Sequence, residues 1–186
     1  MTAWENLFLT TPRLLLRPLD LNDVDILWPD IADIEISRFM AWEAHTDKMQ
    51  TLDFIRTEIA RRQSNRGMTW VILKDSVFCG IVSLIGLVHQ HRNLTYNKAE
   101  LAYWLSRQYW GQGIMLEAVR QVMHFGYEAL GLHKIIVSHF VGNTASEKLI
   151  IRLGFRCVGE QVEEFQKNGI WYNHRNYELL AREFIG

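Results

Sequence analysis

Two glycines, Gly111 and Gly113, stand between a short apolar run and a long amphipathic one. Upstream, Ala99-Glu100-Leu101-Ala102-Tyr103-Trp104-Leu105 is rich in apolar and aromatic residues and predicts a buried strand. Downstream, Met115, Ala118, Val119, Val122, Gly126, Ala129 and Leu130 recur at helical spacing, and Gly131 is a stop signal. The segment Gln108-Tyr109-Trp110-Gly111-Gln112-Gly113-Ile114 therefore joins a strand end to a helix start. Its glycines permit a tight turn and leave no side chain over the first helical N–H groups. Those N–H groups and the positive end of the helix dipole suit an anion, phosphate above all.

The spacing narrows the phosphate ligand by what it lacks. A dinucleotide fingerprint requires a third glycine at position 116, where Leu116 stands. A P-loop requires Gly-Lys-Ser/Thr, but Gly113 is followed by Ile114 and Met115. An ordinary strand–helix turn with glycines for packing is the bland alternative, so other segments must decide.

The rest of the chain is that of a globular protein. With 48% hydrophobic and 22% charged residues, 186 positions fit one domain, 1–186, with a sizeable core. A net charge of −1 provides no global field for nucleic acid or membrane. No apolar run approaches the ~20 residues of a membrane span. Residues 1–6 show no basic region leading into an apolar core, so a cytoplasmic location is expected. Cys79 and Cys157 are far apart in apolar stretches and read as buried thiols, and the histidines show no metal-ligand pairing.

Periodicity predicts seven strands and four helices. A first strand follows Thr11-Pro12 and ends at Pro18, and Asp20 or Asn22 caps a short helix with Val24, Leu27 and Ile31. Residues 34–46 read as irregular, and a second helix runs from Asp47 to about Arg66. Met68–Leu73 and Val77–Val88 form a hairpin, and His89–Lys98 reads as a polar loop. After the central strand, turn and helix come a strand at His133–Val141 and a short helix from Asn143 to Leu153. A last hairpin spans Phe155–Phe165 and Ile170–Leu180 across Lys167-Asn168-Gly169. Alternating strands and helices argue a mixed α/β sheet covered on both faces.

Four segments together resemble one family. Gln108-x-x-Gly111-x-Gly113 is similar to the pyrophosphate-binding motif of the GNAT N-acetyltransferases. Thr11-Pro-Arg-Leu-Leu-Leu-Arg-Pro-Leu19 resembles the first strand of its RimJ/RimL-like branch, the ribosomal-protein N-terminal acetyltransferases. Ala99–Ser106 with Tyr109–Gly113 is similar to that branch's strand and turn, and Asn143-Thr-Ala-Ser146…Leu153-Gly-Phe155 to its Asn-x-x-Ser…Leu-Gly-Phe helix. The resemblance implies a mixed, mostly antiparallel seven-stranded sheet with about four helices on both faces. It implies acetyl-CoA held where Ala99–Ser106 and His133–Val141, parallel neighbours, splay apart. Leu105, Gln108, Trp110, Gly111, Gln112, Gly113, Ile114 and Asn143 would bind that cofactor, and Phe39, Trp42, Phe165, Trp171 and Tyr172 would line the acceptor pocket.

Transfer of acetyl from a thioester to an amine needs a neutral amine, a polarised carbonyl and a stabilised thiolate. Glu100, a lone acid heading an apolar strand, is the candidate base. A strand-end carboxylate or a salt bridge is the bland reading. Many GNAT enzymes carry a tyrosine where Ile150 stands; the resemblance to RimL-like enzymes, which use the serine of Asn-x-x-Ser, implies Ser146 as the group that meets the thiolate, the alternative being a serine in a helical first turn. Asn143 can cap the same helix. Tyr103 and Trp104 face opposite ways, with neither assignable. The expected activity is acetylation of a primary amine, at a protein or peptide N-terminus, by a monomer or homodimer. Alternatives are a small-molecule amine acetyltransferase (polyamine, antibiotic or amino acid) and a catalytically silent acyl-CoA-binding module. Where that branch often has Trp-x-Asp, this chain reads Trp171-Tyr-Asn173, which weakens the case for a polycationic acceptor.

Overall fold

Alternating apolar residues build one twisted sheet, seen in a computed structural model that describes residues 7–186. The reading of residues 1–6 as lacking a leader lies outside the described residues. Eight strands run in the order β1-β2-β3-β4-β5-β6-β8-β7. They are β1 (Leu9–Thr10), β2 (Leu14–Pro18), β3 (Met68–Lys74), β4 (Val77–His91), β5 (Leu94–Leu105), β6 (Lys134–Phe140), β7 (Arg156–Lys167) and β8 (Ile170–Leu180). The helices are α1 (Val24–Ile31), α2 (Ile34–Ser37), α3 (Lys48–Gln63), α4 (Ile114–Glu128) and α5 (Thr144–Arg152).

The helices cover both faces. On one, Leu16, Trp70, Ile72, Val82, Leu84 and Leu101 meet Met115, Ala118, Val119 and Val122 of α4. On the other, Val71, Ile81 and Trp104 meet Leu27 of α1 and Ile55 of α3. Strand β3 is buried on both sides, which explains its unbroken apolar run. Caps close the helices as the sequence implies: Asp47 accepts from Met49 N at the start of α3, and Asp20, not Asn22, caps the turn before α1.

The expected architecture is present, with one strand and one helix more than periodicity indicated. The additions are the two-residue β1 and the four-residue α2, both too short for a periodic signal. The stretch His89–Lys98 is also not a loop. Pairs Gln90↔Thr95 and His91↔Leu94 carry the β4–β5 hairpin to a tight turn, with Arg92 at φ +55°. Backbone pairing there needs no apolar side chains, so hydropathy could not reveal it. Cys79 is buried as expected, but Cys157 is exposed on the edge strand β7.

Among the described strands only β5 and β6 run parallel, and their pairing is brief: Lys98↔Lys134, Ala99↔Ile135 and Glu100↔Ile136. Beyond Glu100, β5 stays with β4 as far as Leu105 and β6 stays with β8 as far as Phe140. Each strand follows its outer partner, so the two diverge and leave the edge of β5 from Leu101 to Leu105 unpaired on that side.

Candidate functional site

The turn between β5 and α4 closes the wide end of this splay. Ser106 N donates to Cys79 O at 2.8 Å, and Ser106 Oγ donates to Asp30, whose carboxyl burial pushes above its ordinary pKa. A single 3-10 turn, Arg107–Tyr109, follows, and Trp110 Nε1 reaches back to Leu105 O at 2.9 Å. Gly111 and Gly113 then adopt φ +74° and +73°, left-handed values that favour glycine. The first helical bond is Glu117 N to Gly113 O. The N–H groups from Gly111 through Leu116 therefore donate to no acceptor among the described residues.

The helix start is locked to β2. Arg13 Nη2 lies 2.6 Å from Glu117 Oε2, while Thr11 Oγ1 and Arg13 N donate to Oε1. Burial raises the Glu117 pKa, but the hydrogen bonds from Thr11 and Arg13 outweigh it and hold the carboxyl below its ordinary value.

A cleft of about 590 Å³ opens between this turn, β5, α2 and α5. Leu105, Trp110, Gly111, Gly113 and Ile114 line it from the turn, Asn143 and Ser146 from α5, and Phe39 from the far wall. Asn143 Oδ1 accepts from Ser146 N at 3.1 Å, so it caps α5 as expected. Gln108 and Gln112 are not in the lining; Gln112 Nε2 bonds Gln108 O at 2.8 Å on the outside of the turn.

Tyr103 is the residue that sequence reasoning left unassigned. It alternates with Leu101 and Leu105, faces the cleft, and its Oη lies 2.9 Å from Ser146 Oγ. Burial pushes its pKa up to about 12, against the opposing bond to Ser146. Trp104 faces the other way into the second core. A partner 43 positions downstream leaves no mark in a strand's alternation.

Glu100 lies on the face opposite Tyr103, half-buried at the last paired position of the splay. Ser138 Oγ donates to its Oε1 at 3.4 Å. Further along this face, Phe140 packs against Phe165 (4.4 Å between ring centroids), Tyr172 (5.3 Å) and His174 (6.1 Å). Burial lowers the His174 pKa.

Of the aromatic acceptor candidates, Tyr172 and Phe165 join this cluster, whereas Trp171 is exposed beside Gln166 near the hairpin tip. Trp42 packs edge-on against Trp104 at 6.5 Å, behind the cleft wall. Lys167 Nζ donates to Ser37 O, Met40 O and Trp42 O at 2.6, 2.9 and 2.8 Å, fastening the β7–β8 tip to the segment after α2. Asn173 braces a kink in β7: its Oδ1 accepts from Glu163 N at 3.0 Å and its Nδ2 donates to Glu160 at 2.8 Å. Glu163 there has φ +50°. An aspartate could accept the first bond but could not donate the second.

The profile of the acetyltransferase (GNAT) domain matches residues 13–156, most of the chain. The chain belongs to the GNAT acetyltransferase family. It is similar to the N-acetyltransferase p20 of Bacillus licheniformis, with 31% identity, covering 96% of this chain and 98% of p20. It is also similar to the spermidine N(1)-acetyltransferase of Escherichia coli, with 26% identity over 91% of this chain and 87% of that protein. Among solved structures, RimL, a ribosomal L7/L12 alpha-N-protein acetyltransferase in complex with coenzyme A, superposes with a TM-score of 0.86. That likeness covers 94% of this chain and 98% of RimL at 19% identity, and establishes the fold. As a GNAT member the protein is an N-acetyltransferase whose donor is acetyl-CoA. The site fits that donor: it combines unpartnered N–H groups, two glycines bare of side chain, an open strand edge and an adjoining cleft. Among the described residues no three potential ligands gather to hold a metal ion, and no helix is long and apolar enough to cross a membrane.

Proposed function

We propose that this GNAT enzyme acetylates the α-amine of a protein or peptide N-terminus. The observation that carries the reading is the position of Glu100: it heads the splay on one face, while Tyr103 and Ser146 line the donor cleft on the other. Donor and acceptor then approach from opposite sides of the sheet. Acetyl-CoA supplies the acetyl group as a thioester. The N–H groups from Gly111 through Leu116 hold its pyrophosphate, joined by the walls formed by Leu105, Trp110 and Asn143. An N–H on the open edge of β5 polarises the carbonyl. Glu100 accepts the proton of the incoming amine, directly or through water, and Ser146 meets the departing sulfur.

The acceptor side supports a peptide. On the Glu100 face Phe140, Phe165 and Tyr172 form an aromatic cluster, and the Lys167 ammonium is taken up by the carbonyls of Ser37, Met40 and Trp42. Asn173 stands where a carboxylate would favour a polycation, and it is committed to β7. The similarity to a spermidine acetyltransferase keeps a polyamine as the competing acceptor. Thiol release from acetyl-CoA with Ser- and Ala-starting peptides, spermidine, aminoglycosides and free amino acids separates the two. Turnover with peptides supports the proposal; turnover confined to spermidine or another small amine overturns it.

A further inference from the structure

The hydroxyls of Tyr103 and Ser146 make a closed pair with one hydrogen left over. Each hydroxyl carries one hydrogen and can accept two bonds. One hydrogen lies between Tyr103 Oη and Ser146 Oγ at 2.9 Å, and neither oxygen has another partner among the described residues. Ser146 N is already held by Asn143, which fixes the first turn of α5 and with it the Ser146 Cβ. Tyr103 is fixed from the other side by β5, whose pairing with β4 places Tyr103 opposite Val82. Two separate elements thus converge on one oxygen, inside the cleft and beyond the last paired residue of the splay.

We propose that Tyr103 is a positioning residue for the thiolate: its O–H donates to Ser146 Oγ and turns the single Ser146 hydrogen toward the sulfur of coenzyme A. This rests on the reading of Ser146 as the group that meets the leaving sulfur. As the amine nitrogen bonds to the carbonyl carbon, the C–S electron pair leaves on sulfur and the nitrogen's proton departs toward Glu100. A lone serine hydroxyl would rotate among acceptors. A serine with one lone pair occupied by a phenol keeps two of its three hydrogen positions, both pointing away from Tyr103, and its O–H is polarised into a stronger donor. Burial keeps the phenol protonated through the neutral range, so the device does not switch off as pH changes there.

The test uses coenzyme A itself and needs no acceptor. The thiol of bound coenzyme A is titrated by its ultraviolet thiolate absorbance in the wild-type protein, Tyr103→Phe, Ser146→Ala and the double variant. Affinity for desulfo-coenzyme A is measured in parallel. The wild-type protein should stabilise the thiolate about tenfold over free coenzyme A, one pKa unit. Tyr103→Phe should lose about half or more of that shift, and the double variant no more than Ser146→Ala alone. Affinity for desulfo-coenzyme A should stay constant, which shows the cleft intact. A wild-type shift in Tyr103→Phe with a loss in Ser146→Ala would overturn the pairing and leave the serine's role standing. No loss in either variant would remove both. Additive losses would mean two independent contacts, and would overturn the relay.

Discussion

Replacing the Glu100 carboxylate by an amide keeps its size and its bond from Ser138 while removing the proton acceptor. Glu100→Gln should therefore lower kcat by about 10²-fold near pH 6, where the amine must be deprotonated, with the deficit narrowing toward about pH 9. Acetyl-CoA binding should be unchanged. A flat deficit across pH, read from kcat profiles, would take Glu100 out of the proton path. Gly111 is the second informative position. Its Cβ would meet nothing within 4 Å, but its φ of +74° is strained for a β-branched residue. Gly111→Val should raise the acetyl-CoA KM about tenfold through about 1–2 kcal/mol of backbone strain, leaving the acceptor KM alone. Sequence spacing pointed to Gly111 and Gly113 because turn chemistry is local. It could not point to Tyr103, whose meaning depends on a serine in another element.

At the scale of elements, the β7–β8 hairpin is a clasp. The kink at Glu163 bends β7, Asn173 holds the bend, and Lys167 then reaches Ser37, Met40 and Trp42. Three carbonyls share one ammonium, whose pKa burial lowers. Lys167→Met keeps the stem and removes the donors. It should raise the acceptor KM about tenfold or less and cost about 1–2 kcal/mol of stability, with the acetyl-CoA KM unchanged. Acceptor and donor titrations on the same preparation check this; a donor KM that rises equally would mean the clasp shapes the whole cleft. The family resemblance pointed to Trp42 and Trp171 as acceptor contacts. Trp42 packs edge-on against Trp104, and Trp171 is exposed on the hairpin.

For the molecule as a whole, Tyr103 links the site to stability. Its pKa in the folded chain, about 12, exceeds the ordinary value of about 10. Below about pH 10 the phenol is neutral in both states and the folded form is unpenalised. Between about pH 10 and 12 the unfolded chain ionises first, so stability falls across that window. Tyr103→Phe should make the fall shallower, by up to about 2 kcal/mol at its end, in denaturant melts run along a pH series. An equal slope in both proteins would place the alkaline instability elsewhere, with buried Tyr127 the next group to remove.

The periodic runs of β3, α3 and α4, a cap at Asp20 or Asn22 and another at Asn143, and the glycine turn before α4 were all legible in the chain. They rest on neighbours within one or two turns of backbone. From these came the mixed sheet, the family resemblance and the anion-binding turn. Strand order, the extended β4–β5 hairpin and the Tyr103–Ser146 and Lys167 contacts were not. Each joins residues far apart in the chain, and their partners are chosen by packing of whole elements against one another rather than by any local preference.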